Sequence, residues 1–279
     1  MATRLAEFSE LEANEAKNLL ETTKHLGASA ELVSDVAALY QKITPFLKFP
    51  KGSIASSNET LTLVAVTNEL MMCRMLLTKA ALAALRMYQG DALTHLRRAI
   101  ESCAFSVRMS KHHELSRIWS EGGLDKDGED TKYRAYRDAF QTRDVFPRKG
   151  HKDHDPLLTE LKINFDLASK TIHGSVFGMA NHLGNVPKVE NTALRRRINF
   201  FDMPNDSLVS CFFLILGTHM MLLQLFGRIL EPYMMEFNEW KKEYEYVQGK
   251  TKRHGQKWIP NVHALNAARN RKHTASKPL

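Results

Sequence analysis

The sequence predicts an all-α fold: a multi-helix bundle built on long antiparallel helices. Three observations carry this. Two stretches, 59–88 and 208–227, stay apolar over lengths well beyond those of strands. Nine prolines and fourteen glycines in 279 residues leave room for long uninterrupted helices. Alternating apolar and polar runs, the mark of half-buried strands, are scarce.

Charge divides the chain into a body and a tail. The net charge is +8, and no acidic residue follows Glu245. From Lys250 onward there are eight basic residues, so residues 1–249 balance at 31 basic against 31 acidic. The expectation is a single helical domain over 1–249, with its core at about 59–247, and a flexible basic tail over 250–279. A neutral body argues against a nucleic-acid surface covering the whole domain. The tail alone could meet RNA or another acidic partner, or remain solvated. Cys73, Cys103 and Cys211 all fall in apolar helical patterns, and their odd number argues against a disulfide framework. The first fifteen residues hold Glu7, Glu10, Glu12 and Glu15 and no apolar signal core, so a cytoplasmic location is expected.

Taken in order, 4–26 carries a sparse apolar stripe and ends near Gly27. A second helix over 30–48 has a fuller stripe from Leu32 to Ile43, and Pro45 should kink or end it. The 50–58 segment is a turn cluster. The 59–88 stretch is apolar all round, which predicts a central core helix. Gln89, Gly90 and Asp91 predict a tight turn with Asp91 as cap, giving an antiparallel hairpin with the helix from Ala92. That helix runs to about Met109, with a further turn through Trp119. Gly122 and Gly123 open a polar excursion at about 122–156, with one short amphipathic helix around Tyr136. Helix returns over 156–173. A loop over 181–187 and a short extended segment at 195–201 precede the last core helix, which opens at Pro204 to Asp206. Its twenty residues from Leu208 to Gly227 carry no formal charge, enough to span a bilayer. Ser210, Thr218, His219 and Gln224 dilute them, so a buried central helix is expected and a membrane is not. Helix should resume over 231–246, across Pro232.

Charges set among apolar positions need a partner or a purpose. Arg97 and Glu101 lie one turn apart beside Ile100 and Ala104, in the string HLRRAIESC. Ser169 and His173 share one face of a later helix, in FDLASKTIHGS. If the two segments meet, four polar groups converge. They would form either a buried network that fixes helix register or a site for an anion, a nucleotide or an RNA phosphate. These strings resemble a family of uncharacterised bacterial all-helical proteins. The resemblance covers about 60–230. It implies that Arg97 and Glu101 match the first motif, and that Ser169, His173 and Gly174 match the second. Ala168 departs from the leucine usual there. The family has no defined activity, so the resemblance implies a fold rather than a function.

RMSKHH gives a second candidate, Arg108 with His113. It resembles the arginine–histidine signature of HEPN-type helical ribonucleases, which act in toxin–antitoxin and phage-defence systems. The resemblance implies a metal-independent endoribonuclease and a dimer. His113 would assist attack by the RNA 2′-hydroxyl, and Arg108 would steady the phosphate. Met109 departs from the polar residue usual after the arginine. The plain alternative is a helix C-terminus whose cations offset the dipole. A third grouping, His151 and His154 with Asp153 and Asp155, has metal-ligating side chains but loop spacing and no second ligand pair, so a solvated loop is expected. His219 is expected in packing. No phosphate-binding glycine loop, paired-cysteine motif, zinc-protease helix or nucleophile elbow is present, so no cofactor or metal is expected. Two function classes remain: an interaction or regulatory module, homodimeric or otherwise, and the ribonuclease.

Overall fold

The computed structural model describes residues 2–48, 57–121, 131–172 and 206–275. In chain order the helices are α1 (Ala2–Leu26), α2 (Leu32–Ile43), α3 (Asn58–Leu85), α4 (Gln89–Lys111), α5 (Leu115–Glu121), α6 (Thr131–Ala139), α7 (Thr142–Val145), α8 (Pro156–Ile172), α9 (Asp206–Leu230) and α10 (Phe237–Ala275). Among the described residues there is no strand, only an isolated antiparallel bridge between Leu47 and Met234. The all-α bundle expected from the sequence is what the chain forms.

The α3–α4 hairpin is its centre. Ser57 caps α3 by accepting a hydrogen bond from the Thr60 amide at 3.1 Å. The turn into α4 lies at 86–88, three residues before its expected place. Met87 adopts φ +73°, the Tyr88 amide donates to Ala83 O, and the Met87 amide donates to Ala84 O. This is a Schellman closure, in which the left-handed position usually holds glycine. Asp91 therefore lies inside the first turn of α4 instead of capping it.

α9 packs behind both helices of the hairpin, and α2 and α8 lie at its flanks. Leu70 and Leu77 of α3, Leu96 and Ile100 of α4, Phe212 and Phe226 of α9, and Leu39 and Tyr40 of α2 are sealed in one continuous core. Each such side chain contributes roughly 1.5–3 kcal/mol by leaving water. α9 is thus a buried central helix. Its Gly227 permits a close crossing by α10, since a Cβ there would lie 2.7 Å from the Trp240 ring.

Four expectations are corrected. The excursion is only partly a surface feature: Phe140, Val145 and Phe146 are buried, and the rings of Phe105, Tyr136 and Phe140 pack together in edge-on and tilted contacts. Helix does not run through 231–246. Pro232 sits in a short 3₁₀ turn (Glu231–Tyr233), Met234 is extended, and α10 starts at Phe237. The chain stays helical across 249. α10 continues past it to Ala275, and its packed face carries on through buried Thr251 to Trp258. Lys250 meets Asp35 at 2.7 Å, His254 Nδ1 lies 2.9 Å from Ser29 Oγ, and the Trp258 ring packs on His25 at 5.2 Å. Finally, α3 is central but not covered all round: Met71, Met72, Met75 and Leu82 are each more than a third exposed. The expected loop at 181–187 and extended segment at 195–201 lie outside the described residues.

Candidate functional site

Arg97 and Glu101 project from the middle of α4. Arg97 Nη2 stands 3.5 Å from Glu101 Oε1, and Arg98 Nη1 approaches the other carboxylate oxygen at the same distance. Both partners of the first pair keep about a quarter of their side-chain surface in water, so the expected charge pair forms at a half-buried position. The Arg97 guanidinium also lies over the Phe165 ring, 5.1 Å from its centroid. α4 and α8 therefore do meet at the two strings singled out in the sequence. Lys162 covers the same ring from α8 at 5.5 Å and pairs with Asp166. Ser169 Oγ, however, donates to Phe165 O of its own helix at 2.8 Å. That is the ordinary back-bond of a helical serine. His173 and Gly174 lie outside the described residues.

Arg108 lies in the last turn of α4 and His113 just past it, and they serve different neighbours. Arg108 Nε donates to Ala139 O at 2.8 Å and Nη1 to Asp144 O at 3.1 Å, pinning the end of α6 and the short α7 against α4. His113 Nδ1 lies 3.0 Å from Thr62 Oγ1, which is 2.6 Å from Ser116 Oγ. This small polar chain ties α5 to α3. Trp119 adds to it by donating to Glu69 at 2.8 Å. The arginine and the histidine of the signature thus share no hydrogen-bond partner among the described residues.

The neighbouring histidine has a different role. His112 Nε2 donates to Asp153 Oδ2 at 2.9 Å, and Lys111 Nζ donates to the Asp153 carbonyl at 2.7 Å. The hydrogen bond from His112 holds the Asp153 carboxyl below its usual range, against the opposing effect of burial. Arg108, Lys111, His112, Asp144 and Asp153 line a cavity of about 10 Å³, with room for roughly one water. Sequence reasoning misses this grouping. The Asp153 carboxylate stands out in its loop, but only the fold brings it to a residue 41 positions earlier.

The remaining members of the histidine–aspartate loop diverge. Asp155 accepts from the Leu157 amide at 2.8 Å, caps the start of α8, and reaches Arg228 at 3.3 Å. His154 Nε2 lies 3.1 Å from Thr159 Oγ1. Among the described residues no group of three or more potential ligands is arranged to hold a metal ion. A shallow groove of about 540 Å³ between α6 and α7 is lined by Tyr136, Arg137, Phe140 and Arg143.

One buried titratable group stands apart. His219 of α9 is fully buried, with Nδ1 2.9 Å from the Tyr40 hydroxyl and Nε2 without a hydrogen-bond partner among the described residues. Burial pushes it down to about 3. It is a neutral core histidine, as its place in the apolar run implied. Burial also raises the thiols of Cys73, Cys103 and Cys211, the last to about 12. Buried thiols held protonated in this way are poor nucleophiles.

Comparison of the chain with protein-family models, with curated proteins and with solved structures finds no match.

Proposed function

We propose that this chain is an intracellular helical interaction or regulatory module rather than an enzyme. The observation that carries the reading is the use made of Arg108. A catalytic arginine must keep its donors for a phosphate in the transition state. Here two of them are spent on main-chain carbonyls that anchor the 131–146 segment. Arg97, His113 and Ser169 are likewise engaged in ties within or between helices.

A metal-independent ribonuclease is the second reading, and one observation favours it. His112, oriented by Asp153, has the form of a general base with its positioning carboxylate, and Lys111 and Arg108 supply positive charge beside it. The test is cleavage of single-stranded and hairpin RNA, with a chelator present, by wild type and by His112→Ala, His113→Ala and His173→Ala. No cleavage above background by any of the four is expected. Wild-type cleavage that drops by about 100-fold or more in one variant would overturn the interaction reading.

A further inference from the structure

We propose that the outer face of α3 is a docking seam for one amphipathic helix of a partner protein, a helix with acidic residues along its flanks. This names the partner class of the interaction module above and rests on that reading.

The seam is written in the spacing. Leu61, Val64, Asn68, Met71, Met75, Thr78 and Leu82 follow steps of three and four in strict alternation, the heptad rhythm of a helix that packs along another helix. Every one of them is half-buried or exposed, whereas Val66, Leu70, Cys73, Leu77 and Ala80 point into the core. α3 therefore has two apolar faces, and its own chain covers only one of them among the described residues. The open stripe runs about 32 Å, three heptads at 1.5 Å per residue. Met71, Met72 and Met75 give it the flexible, polarisable side chains typical of surfaces that accept another helix.

Two details say what kind of helix fits. Asn68 sits in register with Leu61, Met75 and Leu82. One asparagine at such a position fixes the register and pairing of a coiled coil at some cost in stability. Thr78 Oγ1 donates to Arg74 O of its own helix at 3.3 Å, which leaves its methyl for packing. The charges beside the stripe are basic on both sides. Arg74 stands on the α2 side, with Nη2 donating to Gln41 at 3.2 Å. Lys79 stands on the α4 side, close enough to His95 to act with burial in lowering its pKa.

Two α3 helices paired in parallel would set Arg74 of one copy against Lys79 of the other, twice, and like charges at these positions disfavour pairing. Glutamate or aspartate in the same places turns both contacts attractive. The charge pattern thus selects a partner with acidic flanks over a second copy of this chain.

The test uses the full-length protein and two synthetic helices of three heptads, with leucines and one asparagine along the seam. One carries glutamate at the flanking positions and the other lysine. Fluorescence anisotropy is expected to show the glutamate helix binding about fivefold or more tighter than the lysine helix at low salt. Arg74→Glu with Lys79→Glu should reverse that preference, and Met71→Asp with Met75→Asp should abolish binding with the circular dichroism unchanged. Reversal by the charge variant identifies the seam even if the aspartate variant folds poorly. Equal binding of the two helices, or none, overturns the proposal. So does self-association of the wild type that the aspartate variant removes, which would assign the seam to a second copy. Adsorption to phosphatidylcholine vesicles lost in that same variant would assign it to a lipid surface and overturn it as well. RNA cleavage would sink the interaction reading without touching these binding results, so the two failures are distinguishable.

Discussion

α3 and α9 look alike in composition and differ in how they are covered. Each is long and apolar enough to cross a membrane, yet the apolar window of α9 is 67% buried and that of α3 only 56%. The polar residues explain the difference. In α9 the two in its middle turn inward: Thr218 Oγ1 accepts from Asn164 at 3.0 Å, and His219 Nδ1 lies 2.9 Å from the Tyr40 hydroxyl, while Ser210 stays exposed near its start. In α3, Thr62 and Glu69 are met inside, while Asn68, Thr78 and Lys79 lie outward along an apolar stripe. A helix apolar on every side needs cover on every side. α9 finds it within the bundle, whereas the outer side of α3 does not among the described residues.

The contrast can be broken most directly by truncation. Phe212→Ala in α9 should cost about 3–5 kcal/mol in urea unfolding, because it leaves a cavity in a sealed core. A loss under about 1 kcal/mol would show that α9 is not the closed helix.

Acid should reveal His219 next. Its folded value lies near 3 and its unfolded value near 6.5. Above 6.5 both states are neutral and the residue has no effect on stability. Below it, the unfolded chain takes up a proton that the folded one refuses. Stability should therefore fall by about 1.4 kcal/mol per pH unit, or about 3 kcal/mol by a pH of roughly 4. His219→Asn, which can keep an acceptor for Tyr40, should flatten that slope. An unchanged slope would place the acid sensitivity elsewhere.

Removing 250–279 should cost about 2 kcal/mol in a thermal or urea scan, since it takes away the Trp258 packing and the turn of α10 whose Gly255 lies against Phe213 of α9. No change would make that stretch of α10 dispensable cover. The smallest effect belongs to α3: Met75→Ala should shift stability by less than about 0.5 kcal/mol, as surface positions do. A larger loss would mean that the outer face is already packed.

Periodic apolar runs make the long helices legible, and Pro45 marks the end of α2. The Arg97–Glu101 pair and its meeting with α8 are also readable, because one-turn spacings and local apolar context are properties of the sequence itself. The His112–Asp153 contact is not, since Asp153 reaches α4 through a loop that carries no periodicity. The reach of α10 is hidden for another reason. Its packed face steps through Trp240, Tyr244, Val247, Thr251, Gly255 and Trp258, and the threonine and glycine disguise two turns of apolar stripe as polar tail. The turn at Met87 is masked because a methionine occupies a conformation that glycine normally signals.

The last helix closes on one of the first, and this fixes an order of events during synthesis. Trp240 of α10 donates to Leu39 O of α2, and Lys42 of α2 donates to Glu243 of α10; the members of each pair stand 201 residues apart. At about 5–20 residues per second, the side of α2 that α10 covers waits roughly 10–40 s on the ribosome before that cover exists. The nascent chain is therefore exposed to chaperones and to self-association at its N-terminal end for longer than at any later helix that α10 touches.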